Sequence, residues 1–183
     1  LDYHREAMMI TSGPFSFAAF AAALLAAAQL AAPCLASAQS PSYAGTAACA
    51  GCHAREHDAW RGSHHDRAME EANEKTVLGN FADARFAHAG VTTRFFRRDG
   101  RFFVNTDGPD GKLADFEIRY TFGVYPLQQY LIELPGGRLQ AFGIAWDTRP
   151  KAAGGQRWFH LYPDRKLQAG HPLHWTGIDQ NWN

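Results

Sequence analysis

Cysteine is scarce in this chain of 183 residues: three occur, Cys34, Cys49 and Cys52. That excludes a disulfide-stapled scaffold. Neither sign of charge is in excess, with 18 Lys plus Arg against 18 Asp plus Glu. A general nucleic-acid binder needs a basic face, so the balance removes that class. A collagenous chain and a disordered acidic tail are excluded on composition as well. No apolar run reaches the roughly 20 residues that a membrane-spanning helix needs.

Charge is also missing locally. After Glu6 the next Asp, Glu, Lys or Arg is Arg55. Within that gap Ala18 to Ala32 is apolar except for Gln29, and Pro33 and then Ala36-Ser37-Ala38 follow. A short apolar core ahead of a small-x-small triplet is what signal peptidase reads. Residues 1–38 are therefore expected to be a signal peptide, with the rest periplasmic or otherwise exported. Membrane association would require the segment to be retained. Cys34 leaves with the peptide. The remainder carries 17 basic residues (18 less Arg5), 16 acidic ones (18 less Asp2 and Glu6), and only Cys49 and Cys52.

In an oxidising compartment two such cysteines form a disulfide, act as a redox pair, or are attached to something. Cys49-Ala50-Gly51-Cys52-His53 has the C-x-x-C-H pattern of c-type haem attachment. Thiols three positions apart on a turn can each add to a vinyl group on one porphyrin edge, and the next residue, His53, is carried under the iron as proximal ligand. A thioredoxin-like C-x-x-C follows a strand, and Gln39 to Ala48 is mostly Ser, Pro, Gly and Ala with no strand pattern. Structural zinc takes four ligands, usually two such pairs. Cysteines separated by two residues pair poorly with each other in a structural disulfide.

Downstream, Ala54 to Trp60 reads as a helix, and Gly62 interrupts it. Ser63 with Asp66 three residues later opens a second helix, expected over His64 to Glu74. Trp60 and His57 share the helical face of His53, Trp60 as porphyrin packing or as ordinary core. The distal metal ligand is expected from His64 or His65, with Met69 the alternative. Adjacent histidines on a helix point about 100 degrees apart, so one of the two serves a given iron.

From Val91 the pattern changes to aromatic and β-branched runs: VTTRFFRR, RFFVNT, FEIRYTF, QQYLIEL, RLQAFGIAW and RWFHLY. Turn residues separate them, among them Asp99-Gly100 and Pro135-Gly136-Gly137. Residues 91–162 are read as an antiparallel sheet of hairpins, with Arg94, Arg97 and Arg119 on a solvated face. The expected fold class is thus α+β: a helical haem-binding segment over residues 39–90 and a β-rich domain over 91–183. The C-terminal HPLHWTG and NWN are aromatic where termini are usually polar. They cover either a partner surface or this protein's own core.

The strings CAGCH, WRGSHHDRAM, YTFGVYPLQQYLIELPGGRLQAFGIAWDTRP, GGQRWFHLYP and HPLHWTGIDQNWN resemble the N-terminal part of exported multihaem c-type cytochromes. These carry a cytochrome c-552/554-like domain, often with tetratricopeptide repeats. The resemblance implies electron transfer in the cell envelope through bis-histidine haems, with other redox proteins or further haem domains as partners. It implies that Cys49, Cys52 and His53 hold the one covalent haem c of this chain and that His171 and His174 ligate or flank haems encoded elsewhere. This chain has one C-x-x-C-H where family members have several, so the β-rich domain is expected to continue beyond Asn183. An electron carrier is the leading reading. Its rivals are a multihaem oxidoreductase of a small nitrogen or sulfur compound, a C-x-x-C thiol oxidoreductase, and a β-rich binding module.

Overall fold

The computed structural model describes residues 42–183, so the expected signal peptide and Cys34 lie outside the described residues. Residues from Ala44 to Asn183 form one compact unit. It contains two short helices, α1 (Ala47–Ala50) and α2 (Ala54–Trp60). Nine strands follow: β1 (Met69–Glu71), β2 (Ala84–His88), β3 (Val91–Arg98), β4 (Arg101–Asp107), β5 (Leu113–Phe122), β6 (Leu127–Leu134), β7 (Arg138–Ala141), β8 (Ile144–Asp147) and β9 (Arg157–His160). No described helix is long and apolar enough to cross a membrane.

All pairings are antiparallel, and the path through the sheet is β2-β3-β4-β5-β6-β8-β9. Two strands are shared end to end. β5 pairs first with β4 and then, past Ile118, with β1. β6 pairs with β8 near its start and with β7 near its end. The sheet curls until β2 and β9 approach, giving a nearly closed barrel. Side chains rather than a backbone ladder join that seam: His88 of β2 stacks on His160 of β9 at 4.1 Å, and behind it Phe95 of β3 stacks on Trp158 at 3.6 Å.

This corrects the α+β assignment. Helix is confined to α1, α2 and two single 3-10 turns, and strands make up most of the regular structure among the described residues. Helix α2 has the bounds expected from the sequence. The helix expected over His64 to Glu74 is absent. Ser63 Oγ does accept from Asp66 N–H at 3.3 Å, and Asp66 accepts from Gly62 N–H at 2.8 Å. That reciprocal cap closes one turn only, because Met69–Glu71 is drawn into β1 by the free edge of β5. β2 is a second strand within the segment expected to be helical.

The barrel interior is aromatic: Phe81, Phe95, Phe102, Tyr130, Phe142, Trp146, Trp158 and Trp175 are all buried. Phe81 lies in the loop before β2 and meets Phe95, Phe102, Tyr130 and Trp158 edge-on at 5.2–5.7 Å. Gln128 ties the preceding loop to β6. Its oxygen accepts from Leu78 N–H and Tyr130 O–H, and its amide donates to the Thr76 carbonyl. The C-terminal segment folds back on the barrel, with Trp175 inside the core and the half-exposed Trp182 resting on Phe122 at 4.5 Å.

The outer face carries a second aromatic pair, Phe96 and Phe103, which are cross-strand neighbours at 5.6 Å. Arg94 and Arg98 lie over Phe96, and Arg98 and Arg101 over Phe103, so guanidinium groups shield the rings from water. Arg94, Arg97 and Arg119 are half-exposed as expected, and each has a carboxylate partner: Asp83, Glu74 and Glu133 respectively. Such surface pairs contribute about 0–1 kcal/mol each.

Asp147 at the end of β8 is enclosed by its own neighbour. Arg149 donates to both carboxylate oxygens at 2.7 and 3.0 Å, and these bonds hold the Asp147 carboxyl down at about 2. A depressed carboxyl stabilises the fold above the ordinary carboxylate range near ~4, and the contribution is lost as pH falls through 2. Arg149→Met is therefore expected to lower the melting temperature at neutral pH and to flatten its fall below about pH 4. Melting curves of both proteins across the acid range check this, and parallel curves would count against the pair.

Candidate functional site

The C-x-x-C-H residues form the joint between α1 and α2. Backbone bonds from Cys52 N–H and His53 N–H to the Cys49 carbonyl, at 3.3 and 2.9 Å, wind Cys49, Cys52 and His53 into one tight turn. His53 then breaks the helical dihedrals at φ −123, ψ 43, and its carbonyl opens α2 by accepting from His57 N–H at 2.8 Å. Cys49, Cys52 and His53 are all exposed, and neither sulfur is bonded to another.

The helices have 4 and 7 residues and bury none of them. Helices this short are marginal without tertiary packing, since isolated helices need roughly 12–15 residues. An apolar ring attached at Cys49 and Cys52 is the kind of group against which such a segment packs. Among the described residues no three of His, Cys, Asp and Glu converge as a metal site, whereas tetrahedral zinc takes four protein ligands. A porphyrin brings its own four nitrogens and asks the protein for axial ligands only.

The distal candidates occupy the turn after α2. His64 and His65 are exposed, and the His64 ring lies 6.2 Å from that of Tyr125. Met69 is outside any helix, paired with Phe122 across β1 and β5 and 37% exposed. His57 turns toward Trp60, at 6.2 Å.

A second cluster escaped sequence reading. At one end of the barrel a cavity of about 40 Å³ is lined by His88, Thr93, Thr106, Asp107, His160 and His174, with Phe142 and Trp175 among its apolar walls. His174 is buried, and both ring nitrogens are engaged. Thr176 N–H and its hydroxyl approach Nδ1 at 3.3 and 2.8 Å, so Nδ1 accepts and Nε2–H donates to Asp107 at 3.1 Å. Burial pushes the Asp107 carboxyl up, but the hydrogen bonds from His174 and Thr106 help hold the group below its ordinary value. The Thr106 hydroxyl adds a bond to Asp107 and meets that of Thr93 at 2.9 Å. His171, by contrast, is exposed. The HPLHW string hinted at this cluster, but the partner of His174 lies 67 positions away.

No family model, curated protein or solved structure matches this chain.

Proposed function

We propose that the chain is an exported c-type cytochrome that transfers electrons through one haem c held by Cys49, Cys52 and His53. The observation that carries this reading is the exposed C-x-x-C-H turn, with both thiols free, joining two helices that bury nothing of their own. When bound, haem supplies a one-electron ferric/ferrous couple. Cys49 and Cys52 would fix its position as thioethers, each sulfur bonding to one vinyl carbon while its proton goes to the other. His53 would present a ring nitrogen to one face of the iron, and His64 or His65 would serve the other. The partners are other redox proteins or further haem domains of a longer multihaem parent, in the periplasm or beyond. The same free thiols carry the second reading, a thiol oxidoreductase.

The experiment is to secrete the chain from a host with haem-attachment machinery. An intact mass raised by one haem is expected, together with sharp reduced-minus-oxidised absorption bands. A folded product without added mass, able to reduce a disulfide substrate, overturns the cytochrome reading in favour of the dithiol.

A further inference from the structure

Residues 161–173 run from the end of β9 to the buried His174 and cross the mouth of the cavity without forming a strand. Pro163 to Lys166 are exposed, while Leu167 and Leu173 wall the cavity. Beyond Leu161, whose N–H bonds the Gly143 carbonyl, two hydrogen bonds fasten residues 162–170 to the barrel, and both involve imidazoles. His88 Nε2–H donates to the Arg165 carbonyl at 3.0 Å. His160 Nδ1 accepts from Tyr162 N–H at 3.0 Å. The first bond survives protonation of its ring, because the nitrogen is a donor either way. The second does not, because a protonated Nδ1 has no lone pair to offer.

We propose that residues 162–170 are an acid-released strap over the cavity, with the stacked His88 and His160 as its fastening. Protonation of His160 breaks the Tyr162 bond and sets a cation against the stacked His88 ring. The strap then lifts and opens Asp107 and His174 to solvent. The groups facing His160 are His88 from β2, Asp107 from the end of β4, His174 from the C-terminal segment and the Tyr162 ring of the strap itself. Burial, then charge on His88, push the His160 imidazole down to about 4, while the Tyr162 backbone and Asp107 pull it the other way. The freed imidazole binds its proton more readily, at the ordinary value of about 6.5. Falling pH therefore favours release, increasingly so down to about 4.

The test is amide hydrogen exchange on the full chain, followed by mass spectrometry and corrected for the intrinsic effect of pH. Between neutral pH and about pH 4 the strap is expected to lose roughly tenfold or more of its protection, while β3 to β6 keep theirs. His160→Phe preserves a ring against His88 but cannot charge, so its strap should show a weaker protection that no longer depends on pH. Should that variant not fold, the wild-type His160 ring followed by NMR still decides, since its titration must coincide with the loosening. Strap protection unchanged while the ring titrates, loosening while the ring is neutral, or simultaneous loss across β3 to β6 each overturns the proposal.

Discussion

With Cys49 and Cys52 both replaced by serine, the secreted chain is expected to emerge without covalent haem: no added mass and no reduced-minus-oxidised bands. The barrel should melt as before. Both side chains are exposed and bonded to nothing, and surface substitutions of that kind stay within about 0.5 kcal/mol. Each single cysteine variant should retain one thioether and a loosened cofactor. His53→Ala keeps both sulfurs but withdraws the proximal nitrogen, so any haem that is attached should lose its low-spin ferric spectrum. Mass spectrometry and absorption read these outcomes independently of folding. Colour persisting in the double variant would mean that the iron is held elsewhere.

Phe81→Ala should be the most damaging single change to the barrel. The ring is 4% exposed and plugs the region where β3, β4, β6 and β9 converge. Removing a buried Phe costs about 3–5 kcal/mol, because the neighbours collapse only partly into the space. For a unit of this size that is a fall of roughly 10–20 °C in melting temperature. Phe81→Leu should fall between wild type and Phe81→Ala. Haem attachment at Cys49 and Cys52 should be unaffected in material that folds, since the C-x-x-C-H turn shares no contact with this ring. A loss under about 1 kcal/mol would show that the loop carrying Phe81 is not part of the closure.

Local rules made β3 to β6 and β9 readable, whereas the single run RLQAFGIAW divides into β7 and β8. Asp99 and Gly100 both have positive φ, 53 and 73 degrees, which is the geometry a two-residue hairpin demands and the reason for that dipeptide. The aromatic and β-branched runs then set the strands on either side. The C-x-x-C-H motif was equally local, since all its members lie within five residues. Other features were not readable because their causes are distant. Met69-Glu70-Glu71 has helix-forming residues, and only the free edge of β5, some fifty positions later, makes it a strand. Closure of the barrel depends on His88 meeting His160, a contact with no periodicity to betray it. The burial of His174 against Asp107 was unreadable for the same reason, since its partner lies 67 positions away.

The manner in which α1 and α2 join the barrel sets what can be exchanged between them. The segment carrying Cys49, Cys52 and His53 reaches the sheet through the three residues of β1 and the bond from Gly123 N–H to the Ala68 carbonyl. Neither helix contributes a strand to the barrel or buries a residue in it, so exposed substitutions within Ala47–Trp60 are expected to leave the strand pairing of the barrel unchanged.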